Sequence, residues 1–159
     1  MHEASNFSSV LRVTGGSLAN CTVVSNDVSR GWTVSAISGT TSFGRIANCL
    51  IACNRSANPD VAYAAVCNND GTAGSMSHCA GDRETGKEGI VFAEDFKFVD
   101  ATNGDWRIHC WSPAARKADT SVITATKDLA GAPTVYLRNK ADIGCYSRID
   151  KPGMSVIVK

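Results

Sequence analysis

The stretch GSLANCTVV, residues 16–24, returns as GRIANCLIA at residues 44–52 and in shortened form as GSMSHCA at residues 74–80. Each copy places a glycine, an apolar residue, a small residue and a polar amide or ring before a cysteine. The first two of these cysteines are 28 residues apart, and the third follows after another 30. A period of about this length predicts a repeat architecture, in which one supersecondary unit stacks on the next.

The local composition of the repeats favours strands over helices. LANCTVV, WTVSAIS and IANCLIA are rich in Val, Ile, Thr and Cys, and clusters of Gly, Asn, Ser and Asp separate them as turns. Amphipathic helical periodicity is hard to find before residue 110. The sequence therefore predicts an all-β chain, a solenoid of parallel strands to which each repeat contributes two or three short strands.

The repeated cysteines predict a column of thiols inside such a solenoid. Equivalent side chains of successive repeats stack at roughly 4.8 Å, the spacing of neighbouring strands. A small, polarisable thiol suits a narrow interior, so we expect Cys21, Cys49 and Cys79 to form a structural ladder. They should be free thiols, because neighbours on parallel strands lack disulfide geometry.

A second ladder is expected beside the first. The apolar residues of the first copy cannot all share one face by strict alternation, so a bend should lie near Asn20. At that bend Asn20 and Asn48 would form an amide ladder, which His78 would end.

Length and charge limit the kinds of partner. The chain has 159 residues, which suits one domain with a real core. Lys and Arg number 16 and Asp and Glu 15, so the formal net charge of +1 argues against a nucleic-acid-binding tract or a basic membrane surface. Residues 1–14 lack the pattern of a signal peptide, and we expect no insertion into a membrane.

Seven cysteines leave at least one without an intrachain partner. Cys49 and Cys53 have no second pair of Cys or His at zinc-site spacing, so we expect no metal and no cofactor. None of the three histidines lies in a recognisable catalytic context. Cys110 and Cys145 fall outside the repeat and are the best candidates for a disulfide.

The repeats and the later sequence together carry a family resemblance. GSLANCTVVSN and GRIANCLIACN resemble repeats of right-handed parallel β-helix proteins of the secreted bacterial type. FVDATNGDWRIHCWSPAARKADT (98–120) and DLAGAPTVYLRNKADIGCYS (128–147) resemble the closing segment of that family. The resemblance covers roughly residues 15–147 and implies a secreted or cell-surface protein. The implied fold is a right-handed parallel β-helix of about three to four repeats with a C-terminal capping segment.

The resemblance also suggests how the chain is divided. Residues 1–14 would form an N-terminal strand or partial cap, residues 15–97 the repeats, and residues 98–159 the closing segment and cap of one domain. The chain departs from the family at Ala115–Lys117, where an acidic residue and a glycine are usual. It also departs at Thr134, where an arginine is usual. These departures bear on charge pairing in the closing segment, not on the fold.

Local signals in the closing segment agree with this division. DWRI, at residues 105–108, alternates as an edge strand does, and Ser112-Pro113 ends it and predicts one short helical turn with Ser112 as N-cap. Four large side chains are expected to cover the end of the stack: Trp106, Trp111, Ile143 and Tyr146.

Function is less determined than fold, and three classes stay open. The first is a non-catalytic secreted or surface module that binds a polysaccharide or cell-surface glycan. The second is the C-terminal part of a polysaccharide lyase or glycoside hydrolase, although no catalytic cluster of carboxylates is visible. The third is an assembly element that forms a homodimer through an open N-terminal end. The candidate ligand-binding residues are Trp32, Asp60, Tyr63 and Asp70.

Overall fold

The computed structural model describes residues 7–13, 16–28, 33–39, 45–56, 64–68, 76–82, 89–136 and 139–148, and it is built mainly of short strands. The strands are β1 (Phe7–Val13), β2 (Leu18–Ala19), β3 (Thr22–Val24), β4 (Asp27–Val28), β5 (Thr33–Gly39), β6 (Ile46–Ala47), β7 (Leu50–Ala52), β8 (Arg55–Ser56), β9 (Ala64–Asn68), β10 (Met76–Ser77), β11 (Ala80–Gly81), β12 (Val91–Phe92), β13 (Phe98–Asp100) and β14 (Asp105–Ile108). Short 3-10 helices lie at Ala101–Asn103 and Thr120–Val122. Within these ranges no helix is long and apolar enough to span a membrane.

Parallel pairing connects the strands of different repeats. The sheets have the orders β1-β5-β9, β10-β6-β2, β12-β11-β7-β3 and β4-β8, and every pair within them is parallel. An antiparallel pair, β13-β14, belongs to the closing segment. The expectation of a mainly β chain with parallel sheets is therefore confirmed.

The register of the sheets follows the sequence repeat. Leu18 pairs with Ile46, and Ile46 pairs with Met76. In the neighbouring sheet Thr22 pairs with Leu50, which pairs with Ala80. These four steps therefore advance by the same 28 or 30 residues that separate the copies in the sequence.

A left-handed residue separates the two strands of each repeat. Asn20, Asn48 and His78 have φ angles of 54°, 54° and 51°. This conformation is costly for most L-residues but less so for asparagine. It breaks the alternation of side chains, so that Leu18 and Cys21 pack against the same buried cluster. The predicted bend therefore lies at Asn20.

Buried side chains form two clusters on opposite faces of the β12-β11-β7-β3 sheet. The first cluster contains Ile37, Ile46, Cys49, Ile51 and Cys79. The second cluster contains Leu50, Ala52, Ala80, Phe96, Ile108, Ala114, Ala115 and Ile143. Consecutive residues of a strand face opposite sides of the sheet. Ile51, in the middle of β7, therefore belongs to the first cluster, and Leu50 and Ala52 belong to the second. A sheet covered on both faces explains the continuous apolar sequence LIA.

The closing segment supplies the cover of the second face. Gly144 N–H donates to the Asn48 carbonyl at 2.8 Å, and Cys145 N–H donates to Thr22 Oγ1 at 3.0 Å. Gly144 has a φ angle of +109°, and a Cβ there would lie 2.7 Å from Thr22 Oγ1, so only glycine allows this approach. The segment thus lies along the side of the first two repeats.

One expectation for the closing segment needs correction, and a second holds for a single turn. Ile143 is buried against the side of the sheet, where the outward-facing apolar residues of β7 require cover, and not across an end of the stack. Residues 112–116 form successive turns and no helix. The predicted cap and single turn do form, because the Ser112 hydroxyl accepts from Ala114 N–H and the Ser112 carbonyl accepts from Ala115 N–H at 3.0 Å. The turn does not continue as a helix, since Arg116 N–H donates to Asp142 Oδ1 at 2.7 Å.

Of the other three expected covering residues, Tyr146 is partly buried and the two tryptophans pack on neighbouring aromatic rings. Trp106 meets Phe98 edge to face with ring centroids 5.1 Å apart, and Trp111 stacks on His109 at 4.6 Å. Strand DWRI forms as predicted, as β14.

Candidate functional site

The predicted amide positions form a bridge between the repeats and the closing segment. Asn48 is fully buried, and its Nδ2 donates to Asn20 Oδ1 at 3.0 Å and to the Asp119 carbonyl at 2.9 Å. Its Oδ1 accepts from Asp119 N–H at 2.7 Å. His78 occupies the equivalent corner of the third repeat, where its side chain is exposed. The amide of Asn48 therefore satisfies both backbone groups of one closing-segment residue.

The three predicted ladder cysteines come directly before the neighbouring strands β3, β7 and β11, and all three are free thiols. Each thiol donates to a backbone carbonyl two residues before it, at 3.3 Å for Cys21 and Cys49 and 3.4 Å for Cys79. Cys49 N–H also donates to the sulfur of Cys79 at 3.4 Å. Cys49 and Cys79 are fully buried, whereas Cys21 is partly exposed.

The thiols perturb one another. A hydrogen bond with the Cys49 thiol lowers the pKa of Cys21 to about 7, although burial opposes this shift. The pKa of Cys49 is raised by its contacts with the thiols on either side and by burial. The pKa of Cys79 is lowered by its hydrogen bond with Cys49, but no part of its side chain reaches solvent.

A groove of about 420 Å³ lies between the corner of the first repeat and the closing segment. Ala19–Cys21 form one wall, and residues between 123 and 147 form the other. The polar groups that line it include the side chains of Asn20, Thr124, Lys127, Thr134, Tyr146 and Ser147. The groove therefore combines hydroxyl and amide groups with an aromatic ring, a lysine and apolar surface.

One groove carboxylate, Asp128, is engaged by backbone N–H groups. Its Oδ1 accepts from Ala130 at 2.9 Å and from Ala132 at 2.8 Å. Its Oδ2 accepts from Ser147 N–H at 2.6 Å. This carboxylate therefore fixes the loop that forms the groove wall.

The other groove carboxylate, Asp142, is buried in a polar cluster. It accepts from Arg116 N–H and from Arg148 N–H, each at 2.7 Å, and from the Tyr136 hydroxyl. The Arg148 guanidinium lies 3.7 Å from Asp142 Oδ1 and 4.1 Å from the centre of the Tyr136 ring. Burial, together with the hydrogen bond to Asp142, raises the pKa of Tyr136.

Several sequence predictions have other outcomes. The candidate ligand-binding residues Trp32, Asp60, Tyr63 and Asp70 lie outside the described residues. The disulfide candidate is wrong, because Cys110 and Cys145 are both free thiols. The backbone of Cys145 is held beside β3 by the Thr22 hydroxyl, whereas Cys110 follows the β13-β14 pair. In the part of the chain described, no group of His, Cys, Asp or Glu side chains is suited to a metal ion.

Sequence reasoning missed a further amide pair in the repeats. Asn54 Oδ1 accepts from Asn26 N–H at 3.1 Å and from Asn26 Nδ2 at 2.9 Å, and Asn54 Nδ2 donates to the Val23 carbonyl at 2.8 Å. The signal was present, since the two asparagines are 28 residues apart, the period of the thiol column. The groove had no such signal, because its walls are distant in sequence.

Comparisons with protein-family models, curated proteins and solved structures found no match to this chain.

Proposed function

We propose that this chain is a non-catalytic module with a right-handed parallel β-helix fold, secreted or displayed at a cell surface, that binds a glycan in the groove. The observation that carries the proposal is the composition of the groove, which places sugar-compatible polar groups around a concave surface with an aromatic side chain.

The register of the strands supports the fold proposed. Parallel pairing connects residues one repeat apart in the β10-β6-β2 sheet and in the β11-β7-β3 part of the neighbouring sheet. A solenoid pairs each strand with its counterpart in the next turn, so the sequence offset between paired strands follows the length of the repeat. The handedness rests on the family resemblance and on the general right-handedness of parallel crossovers.

The groove offers three kinds of contact to a sugar. Tyr146 supplies an aromatic ring on which the apolar face of a pyranose could stack. Asn20 supplies amide N–H donors, and the Ser147 hydroxyl, which donates to the Pro133 carbonyl at 2.8 Å, can still accept from a sugar hydroxyl. Lys127 adds ammonium donors to the same lining.

The carboxylates of the groove favour binding over hydrolysis. A glycoside hydrolase needs one carboxyl group as acid and a second as base or nucleophile. Asp128 is occupied by three backbone N–H groups, and Asp142 by two N–H groups and a phenol. A proton transfer at either residue would break bonds that hold the groove wall. A lyase or hydrolase activity would instead need residues elsewhere, and incubation with uronate polymers, followed by absorbance of the unsaturated product, tests for the lyase.

A glycan-array screen followed by calorimetry tests the proposal. The ligand found should bind Tyr146→Ala at least about tenfold more weakly, which corresponds to about 1.4 kcal/mol. Tyr146→Phe keeps the ring and should retain most of the affinity. Lys127→Ala should also weaken binding, whereas its matched control Lys117→Ala, an exposed lysine outside the groove lining, should not. Absence of any glycan ligand, or equal affinity in all four variants, would refute the proposal.

A second candidate, self-assembly, is favoured by the sheet edges. Among the described strands, β1, β2, β3 and β4 form one of the two edges of each parallel sheet, and all four belong to the first repeat and the strand before it. Unpaired edges bind other strands readily. Sedimentation over a range of concentrations should then show a dimer that Ser17→Lys weakens and the exposed-site control Thr102→Lys does not. A monomer at all concentrations would exclude this candidate.

A further inference from the structure

The first repeat is less buried than the second along the whole length of its two strands. Residues 18–24 are all partly exposed, whereas the residues paired with them or equivalent to them, 46–52, are all buried. The second repeat has a neighbour on both sides, so the difference arises on the side of the first repeat that faces away from it. We call this side, formed by residues 18–26, the open edge.

The backbone of β3 directs hydrogen-bonding groups toward the open edge. The carbonyl of Cys21 and the N–H of Ser25 are hydrogen-bonded to β7, at 2.8 and 3.4 Å. Backbone groups of successive residues point to opposite sides of a strand, so those of Val23 also face β7. The N–H and carbonyl groups of Thr22 and Val24 therefore face the open edge.

The asparagines at the two ends of β3 offer opposite groups there. Asn20 Oδ1 accepts from Asn48, while Asn20 Nδ2 has no hydrogen-bond partner among the described residues. Asn26 Nδ2 donates to the Val24 carbonyl and to Asn54 Oδ1, each at 2.9 Å, while Asn26 Oδ1 has no partner in the same part of the chain. One end of the strand therefore presents an amide donor, and the other end presents an amide acceptor.

We propose that the open edge binds the open edge of a second copy of the chain about a two-fold axis at Val23, with the two β3 strands antiparallel. Thr22 of each copy then lies opposite Val24 of the other, and all four of these residues exchange backbone hydrogen bonds. The Val24 carbonyl, which already accepts from Asn26, uses its second lone pair. A two-fold axis at Thr22 or at Val24 would engage only one of the two residues in each copy. The inference rests on the second candidate above, self-assembly, and specifies how the copies pair.

The same register matches the asparagines. Asn20 of each copy lies opposite Asn26 of the other, so an amide donor meets an amide acceptor at both ends of the paired strands. Asn20 Nδ2 carries two N–H groups, so one remains for a ligand in the groove that Asn20 lines. The second copy would also cover Leu18, Cys21 and Val23, which pack against the first buried cluster and are only partly buried in the single chain.

Head-to-tail stacking, which would continue the solenoid, does not match the amides. The register of the sheet makes Gly89 and Asp95 the equivalents of Asn20 and Asn26 at its last strand, β12. Gly89 has no side chain to accept from Asn20, and the Asp95 carboxylate, which can only accept, would face Asn26 Oδ1. A two-fold contact also closes as a dimer, whereas head-to-tail contacts continue into filaments.

Hydrogen exchange of the unchanged protein tests the pairing one amide at a time. Exchange is followed by NMR at a low and a high protein concentration, and sedimentation gives the fraction of dimer at each. Where about nine-tenths of the chains are dimeric, the amides of Thr22 and Val24 should exchange about tenfold more slowly than in the monomer, because only the monomer leaves them open. The amide of Val23, which faces β7 in both states, is the internal control and should change far less.

Two cysteine substitutions test the position of the axis. The Cα atoms of residue 23 in the two copies would lie about 4.5 Å apart, within disulfide range, and those of residue 24 about 8 Å apart, beyond it. Val23→Cys should therefore form a covalent dimer on mild oxidation. The matched control Val24→Cys should not exceed the cross-linking of the unchanged chain with its seven cysteines. Cross-linking through Val24→Cys but not through Val23→Cys would overturn the register.

Asn20→Asp separates the two-fold pairing from other modes of assembly. It keeps the oxygen that accepts from Asn48 but removes the donor that faces Asn26 of the second copy, so it should weaken the dimer about tenfold or more. Assembly that is insensitive to this change, with the amides of Thr22 and Val24 exchanging as in the monomer, would overturn the two-fold pairing and leave self-assembly standing. A monomer at all concentrations would overturn both.

Discussion

Replacement of Asn48 by alanine should detach the closing segment before it unfolds the repeats. The Asn48 side chain makes three hydrogen bonds, of 2.7 to 3.0 Å, and two of them satisfy the N–H and carbonyl of Asp119. Alanine would leave those groups without their partners. The backbone bond from Gly144 N–H to the carbonyl of residue 48 would remain possible, but only if the corner keeps its geometry.

The expected cost follows from these contacts. Removing a partner from a buried polar group costs about 1–3 kcal/mol, and the lower value applies here because Asp119 and Asn20 are themselves only partly buried. Three bonds therefore correspond to about 3 kcal/mol. Asn48 also has a φ angle of 54°, and a left-handed alanine costs about 1 kcal/mol more. The total of about 4 kcal/mol is a large fraction of a stability of about 5–15 kcal/mol.

Asn54→Ala is a matched control. Asn54 is also buried and also makes three side-chain hydrogen bonds, but all of them lie within the repeats, to Asn26 and Val23. Urea unfolding gives the free energy of both variants, and hydrogen exchange follows the amide of Asp119. Asn48→Ala should abolish protection at Asp119, and Asn54→Ala should leave it. Asn48→Gly, which tolerates the left-handed backbone, should recover about 1 kcal/mol relative to alanine. Equal protection of Asp119 in the alanine variants would refute the reasoning.

Three further experiments test the packing and the polar cluster. Gly144→Ala should destabilise the fold in thermal unfolding, because the new methyl carbon would lie 2.7 Å from a threonine hydroxyl in β3 and the φ angle is +109°; an unchanged melting temperature would contradict this close approach. Phe96→Ala should cost about 3–5 kcal/mol, since its side chain is 2% exposed, while Phe92→Ala, at 49%, should cost little in the same urea titration. The pKa of Tyr136 is raised in the folded state, so its contribution to stability is full below the unfolded pKa of about 10 and is lost as pH rises through the folded pKa. An ordinary tyrosine midpoint in an ultraviolet titration would contradict this account. Asp142→Asn should lower the raised pKa of Tyr136.

Much of the repeat region could be predicted because its determinants are local and recur. The period, the bend at Asn20 and the side-by-side arrangement of the cysteines all follow from residues that occupy equivalent positions in each copy. The end of the turn after Ser112 could not be predicted, for the opposite reason. Its local cap signal is real, but Arg116 N–H is taken by Asp142, a residue 26 positions away that no local pattern announces.

The location of the closing segment also depends on long-range complementarity. β7 presents apolar side chains to both of its faces, and an apolar face left open to water would be unfavourable. The closing segment brings Ile143 to the second of these faces, and Gly144 allows its backbone to approach β3 closely. A polar corner, in which the amides of Asn20 and Asn48 are hydrogen-bonded, lies beside this apolar contact. The closing segment contacts this corner through the Asn48 amide. The groove forms where the apolar contact meets the polar corner, so the interactions that hold the segment in place also determine which groups a ligand would meet.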